Sequence, residues 1–439
     1  MKHSRNPSLA PRRLWVAYDR AGLEFALPPG FRATLVAPRP VAPVADLSAA
    51  IQQALAKPLG SPPLRALARH GQRACIVFTD ATRACPDHAL VPALLRELEL
   101  AGVRDKDITL LCALGMHRPS TAEEKRRKLG ADVAARYRVI DHEPQNPAVL
   151  VDLGRMPGGA PVVLHQAAVE ADLLIATGIV EPHQYAGYSG GAKTVAVGAA
   201  GEELIAFTHG PAFVDHPATR LGRIEGNPFH QTVQEAGRRA GLCFILNVVV
   251  NDTHHVLRVA AGEPQAAFND LVAFARTVFE VAIPHAFDIV VGGVGYPKDA
   301  NLYQASRAAS FLFFAPTPVV KPGGTLIIPA RCQEGAGAGV GEQRFLAAMR
   351  DSPDVQSILL DGRRNGFPPG QQRAFVMAKV LEQAQVIVVG SECPDLVEDC
   401  KMIPAATVEE ALTLASGRTG VDAEILVVPH ALLTLPVIQ

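Results

Sequence analysis

The chain has 439 residues, 48% of them apolar and 19% charged, with 42 basic against 43 acidic side chains and a formal net charge of −1. That balance is globular and excludes wholesale disorder, and without a basic excess there is no electrostatic footprint for nucleic acid or a membrane surface. Aromatic residues make up 5%, with Trp15 the single tryptophan, which is too few for stacking platforms on single-stranded nucleic acid.

At roughly 150 residues per domain the length suggests two or three domains. No apolar run of about 20 residues is present, so no membrane-spanning helix is expected. The basic start at residues 1–7 is not followed by the apolar stretch of a secretory signal. Cysteines fall at 75, 85, 112, 243, 332, 393 and 400. Their odd number, scatter and lack of a CxxC pair read as a reduced, cytoplasmic protein without disulfides or a thiolate zinc site.

The first 70 residues are rich in Pro, Ala and Arg and give weak signals. From residue 74 the pattern sharpens. An apolar run at 74–80 is followed by a helix candidate at 88–100, a stop at Gly102 and a second apolar run at 108–114. Strand, helix and strand in this order are what a parallel sheet needs, and buried parallel strands read as continuous apolar runs. Further runs follow at 172–176, 244–250, 289–291, 325–329, 386–389 and 424–428, separated by helical stretches including 271–279, 344–350 and 373–383. The fold class is α/β: two domains with open, mostly parallel, Rossmann-like sheets. The boundary is expected where a long helix ends near Ile283. This gives residues 1–282 and 283–439, with the segment after 419 expected to pack back on the first domain. An active-site cleft and a hinge are expected between the two. The Gly-rich stretch at 335–341 reads as a loop.

Ligands of open α/β sheets bind at the carboxyl ends of strands, so the loops after strands matter most. The densest runs from 176 to 210, with His183, Gly187, Tyr188, Ser189, Gly190, Gly191, Lys193 and His209. Successive glycines and a lysine suit an anion cradle, although neither the P-loop nor the GxGxxG spacing is met. A plain strand-to-helix loop is the alternative. The loop after residue 79 carries Asp80 and Arg83, suited to an anion or hydroxylated ring, or to a structural ion pair. The loop after 113 carries His117 and Arg118, then a capping box from Ser120 or Thr121 to Glu123 or Glu124. In the second half, a Gly-rich stretch at 292–299 precedes Gln304 and Arg307, which share a face if helical.

Four segments, taken together, resemble the nickel-pincer lactate racemase family of 2-hydroxyacid racemases and epimerases. They are the Asp80-x-Thr82-Arg83-x-x-Pro86 piece, the Leu114-Gly115-Met116-His117-Arg118 piece, the stretch from Pro182 to Lys193 with Thr208-His209-Gly210, and the Leu302-Tyr303-Gln304-Ala305-x-Arg307 piece. The resemblance implies a pyridinium mononucleotide cofactor carrying nickel, tethered at Lys193 and contacted by Asp80, Arg83, Tyr188, Ser189, Gly190 and Gly191. It implies His209 as nickel ligand and His117 and His183 as acid/base groups. It further implies Arg83, Gln304 and Arg307 as contacts of a small 2-hydroxy acid, and cofactor-maturation enzymes as partners. Hydride would leave Cα, a planar 2-oxo acid would reorient, and hydride would return to the opposite face. Two departures, Arg307 in place of the family's lysine and no tryptophan at 365–371, point towards a larger or doubly charged substrate such as malate, with Arg118 and Lys298 as further charges. The alternatives are a non-catalytic nucleotide- or metabolite-binding α/β protein and a nicotinamide-dependent dehydrogenase. The possibility of a homo-oligomer stays open.

Overall fold

The structure, a computed structural model, describes residues 13–420 and 422–439. The expected absence of a secretory signal at residues 1–7 lies outside them. Contacts divide the chain into two compact units, one of residues 39–279 and the other of residues 280–439 together with the described part of 1–38. Residues 13–38 therefore depart from the expected first domain of 1–282. The C-terminal strand Leu435–Ile438 pairs with Glu280–Ile283 inside its own unit, not with the first domain.

Unit 39–279 is built on a six-stranded sheet. Its spatial order is Val256–Gly262, Leu242–Val250, Leu173–Ile179, Ala74–Thr79, Ile108–Ala113 and Arg138–Asp141. All neighbours are parallel except the hairpin of Leu242–Val250 with Val256–Gly262. The strands Ala74–Thr79 and Leu173–Ile179 are buried at every residue, which is why they read as unbroken apolar runs. Helix Asp87–Leu100 buries Leu90, Val91, Leu94, Leu95 and Leu98, a stripe at helical spacing laid on the sheet. Helix Ala122–Leu129 opens with the expected capping box, formed by Thr121 and Glu124. From Ala74–Thr79 the chain steps outwards through Ile108–Ala113 to Arg138–Asp141, then returns to lay Leu173–Ile179 on the other side. The carboxyl ends of Ala74–Thr79 and Leu173–Ile179 therefore border the point where strand order reverses, the usual place for a ligand on an open sheet.

The second unit repeats the design. Its sheet runs Ile403–Ala405, Gln385–Val389, Val320–Pro329, Phe287–Gly292, Glu424–Val428 and Arg32–Leu35, parallel throughout. Strand order reverses between Phe287–Gly292 and Glu424–Val428, but here the chain fills its own crevice. Ala17 N–H donates to Pro429 O at 3.0 Å, Val294 N–H to Ala17 O at 3.1 Å and Tyr296 N–H to Asp19 O at 2.9 Å. Trp15 meets the ring of His430 at 5.4 Å. The Gly-rich stretch at 292–299 thus serves close backbone approach. A Cβ at Gly293 would lie 2.2 Å from Pro429 O and 2.5 Å from Ala17 N. The expected loop at 335–341 gives way to helix from Val340 onwards.

Two buried histidines brace the outer edge of the first sheet. His142 Nε2 donates to Ala200 O at 2.8 Å, and its ring centre is 5.6 Å from that of His165. His142 Nδ1 is enclosed without a hydrogen-bond partner. Burial, and secondarily the neighbouring His165, pushes the His142 imidazole down to about 4. His165 is also lowered, mainly by burial.

Both rings are neutral in the folded state and take up protons more readily when unfolded. Their contribution is complete above the ordinary imidazole value and is lost as pH falls from about 6.5 towards 4. Thermal unfolding is therefore expected at lower temperature at pH 5 than at pH 7.5, with a shallower slope in His142→Gln; an equal slope would contradict it. In the second unit, Gly293→Ala is expected to lower stability by about 1–3 kcal/mol through overpacking. Gly417→Ala, where a Cβ meets nothing within 4 Å, is expected to be neutral or stabilising in the same melts.

Candidate active site

Three loops of unit 39–279 converge at its switch point. The first leaves strand Ala74–Thr79. Asp80, 4% exposed, has Oδ2 at 2.7 Å from His117 Nδ1 and accepts Thr82 Oγ1 at 2.8 Å on Oδ1. Burial works to raise the Asp80 carboxyl, but the hydrogen bonds from His117 and Thr82 and the charge of Arg83 outweigh it, and the net shift is downward. Asp80 is thus an anion facing the imidazole. Nδ1 of His117 carries the proton it donates, and Nε2 keeps a lone pair. The Arg83 side chain is exposed.

The second loop leaves strand Ile108–Ala113 and carries His117, whose side chain is 48% exposed. It is fastened to the third loop by Gly115 N–H, which donates to Gly198 O at 2.9 Å. Arg118 grips Glu124 in a two-pronged contact of 2.9 and 2.6 Å, so its charge is committed to the helix cap.

The third loop leaves Leu173–Ile179. A short hairpin pairs Pro182–His183 with Gly187–Tyr188. His183 Nδ1 accepts N–H groups from Tyr185 and Ala186, both at 3.2 Å. In a neutral ring this puts the proton on Nε2, the reverse of His117. Tyr188 is buried at 1% exposure. Ser189 Oγ donates to Ile179 O at 2.6 Å, and Gly191 N–H donates to Asn247 Oδ1 at 2.7 Å. Both groups expected in an anion cradle are therefore engaged within the protein. Gly190 and Gly191 are needed for space: a Cβ there would lie 2.7 Å from Val180 Cγ2 and 2.8 Å from Phe268 Cδ2 respectively. Lys193 follows at the start of the turn Lys193–Ala196.

His209 ends helix Glu202–Thr208, and its Nδ1 donates to Ile205 O at 2.9 Å. Its Nε2 therefore offers a lone pair. Burial first, and the charge of Lys193 second, push its imidazole down to about 4, against the pull of the Ile205 carbonyl. Two rings that sequence reading passed over, Tyr185 and Phe229, bind the cluster together. His183 lies 5.9 Å from Tyr185 and 6.3 Å from Phe229, and His209 lies 5.3 and 5.1 Å from the same two. Asn247 also escaped notice, although an amide inside an otherwise apolar strand was a visible signal.

Gln304 and Arg307 belong to the other unit, one turn apart on helix Leu302–Phe313, whose first turn is capped by Asn301. Gln304 Oε1 is buried without a hydrogen-bond partner. Among the described residues no three His, Cys, Asp or Glu side chains gather to hold a metal ion. No helix among them is long and apolar enough to cross a membrane.

The family models for the lactate racemase N-terminal and C-terminal domains match residues 18–222 and 282–435. The chain is 33% identical over 380 residues to a lactate racemase of Thermoanaerobacterium thermosaccharolyticum, covering 86% of this chain and 88% of that protein. It is 34% identical over 384 residues to one of Lactiplantibacillus plantarum, covering 87% and 89%. The solved apoprotein of the T. thermosaccharolyticum lactate racemase superposes with a TM-score of 0.86 at 29% identity, over 98% of this chain and all of that one. A Thermotoga maritima protein, at 18% identity and a TM-score of 0.64 over 90% of this chain and 96% of that one, shares the fold alone. The chain belongs to the lactate racemase family and is an isomerase, a racemase.

Proposed function

We propose that this racemase inverts a short 2-hydroxy acid of the lactate kind by moving a hydride from Cα and back, with His117 and His183 as acid/base groups. The observation that carries the reading is the pairing of opposite imidazoles on one carboxyl edge. His117, anchored by Asp80, presents a lone pair, and His183, anchored by two backbone N–H groups, presents a proton. Inversion at a carbinol carbon needs such groups because the hydroxyl faces opposite ways in the two enantiomers.

The residues fit a nickel-bearing mononucleotide. His209 has a buried imidazole held neutral, with a lone pair on Nε2, a suitable single donor for a metal otherwise clamped by soft ligands. Lys193, at the start of the turn Lys193–Ala196, would carry the covalent tether. Such a group, when bound, supplies an acceptor that takes a hydride and returns it. The chain supplies the rest. His117 Nε2 takes the hydroxyl proton, and Asp80 stabilises the imidazolium that results. The planar 2-oxo acid turns over. His183 Nε2–H hydrogen-bonds the oxygen on the other face as hydride returns, and the proton held by half-exposed His117 reaches that oxygen through solvent. Gln304 and Arg307, one turn apart on helix Leu302–Phe313, carry an amide and a cation suited to a hydroxyl and a carboxylate. Lactate is the substrate in the relatives' names, and it is the first to try; malate tests whether Arg307 accommodates a second carboxylate.

Chiral chromatography of single-enantiomer lactate and malate, with protein co-produced with cofactor-maturation enzymes, is expected to reveal the opposite enantiomer. Lys193→Ala and His209→Ala are expected to abolish conversion and nickel retention. His117→Asn and His183→Asn are each expected to lower kcat by about 10²–10⁴-fold with nickel retained. Full activity and nickel in Lys193→Ala and His209→Ala would overturn these roles.

A further inference from the structure

Lys128 lies in a run of basic residues, 125–128, that reads as a solvated helix face. Its side chain is instead turned under the site. Nζ is 2.9 Å from Arg83 O, 2.9 Å from Cys85 O and 2.9 Å from Thr79 Oγ1. It is also 2.9 Å from Oδ2 of Asp87, which has no solvent exposure. Asp87 accepts Thr79 Oγ1 at 2.5 Å and Thr177 Oγ1 at 2.6 Å, so one carboxylate bridges the two strands at the switch point. The carbonyl of the same Thr177 accepts Thr194 Oγ1 at 2.8 Å, next to Lys193. A continuous chain of hydrogen bonds thus runs from the carbonyls of Arg83 and Cys85 to the turn that carries Lys193.

A buried ion pair of this kind gains little net stability over an apolar pair of similar volume, because both charges lose their water. What it supplies is direction. Two loop carbonyls are fixed by an ammonium, and the first of them, that of Arg83, lies three positions after Asp80.

We propose that Lys128 and Asp87 are positioning residues of the racemisation. The pair seats the loop that holds Asp80 and Arg83, hence the tautomer of His117, and through Thr177 and Thr194 it locks that loop to the Lys193 arm. This rests on the acid/base reading above.

The test uses Asp87→Asn/Lys128→Met, which removes both charges together, and Thr177→Val, which cuts the link between strands and leaves the pair intact. On the holoenzyme, both are expected to lower kcat at least tenfold with KM changed less than threefold. On the same proteins, ring ¹⁵N signals of labelled His117 are expected to show mixed tautomers in the double variant and the wild-type tautomer in Thr177→Val. Wild-type kcat and His117 signals in the double variant would overturn the proposal. So would a loss of activity that merely follows the loss of folded protein in thermal melts. If the double variant does not fold, Thr177→Val decides alone: wild-type kcat in that folded variant would overturn the proposal. A wild-type holoenzyme that converts no 2-hydroxy acid would sink the acid/base reading alone, since the His117 signals report loop seating without turnover.

Discussion

A carboxylate with no access to water must be answered on every side, and Asp87 is answered by Lys128, Thr79, Thr177 and the Cys85 thiol. Those partners come from both strands at the switch point, from the loop after the first and from a helix beyond the His117 loop. Satisfying one buried charge therefore fixes the spacing of the strands Ala74–Thr79 and Leu173–Ile179 and the path of the chain as it leaves the first. The site above inherits its geometry from this arrangement. Gly115, bonded to Gly198, closes the ring from the other side.

On this base three histidines are tuned apart by their second partners. Asp80 places the His117 proton on Nδ1, backbone N–H groups occupy His183 Nδ1, and the Ile205 carbonyl takes the His209 proton. One residue type thereby presents a lone pair at one position and an N–H at another without any difference in the ring itself, which is what the proposed roles draw on. Tyr185 and Phe229 hold the second and third together while excluding water, which is why burial leads the downward shift of His209.

Much of this was legible in the sequence. Buried parallel strands must be apolar along their whole length, so the central strands announced themselves, and the ends of those strands located Asp80, His117, His183 and Lys193. Other features were hidden for physical reasons. The strands at 13–16 and 23–26 are a short hairpin of four-residue pieces, and that at 32–35 is an edge strand that owes its form to Glu424–Val428, about 390 residues away. Lys128 looks like its solvated neighbours because burial of one lysine in a basic run depends on a distant carboxylate. Gly190 and Gly191, read as part of an anion cradle, also stand where Val180, Asn247 and Phe268 leave no room for a Cβ. Gly-rich segments have more than one physical cause, and only the surroundings distinguish them.

The central claim is that hydrogen leaves and returns as hydride while the histidines handle only the hydroxyl proton. The direct measurement is racemisation of single-enantiomer lactate deuterated at Cα by the holoenzyme in ordinary water, followed by mass spectrometry of the product enantiomer. Hydride return predicts that the inverted product keeps its deuterium. Loss of the label to solvent would contradict it and would make His117 and His183 carbon acid/base groups instead.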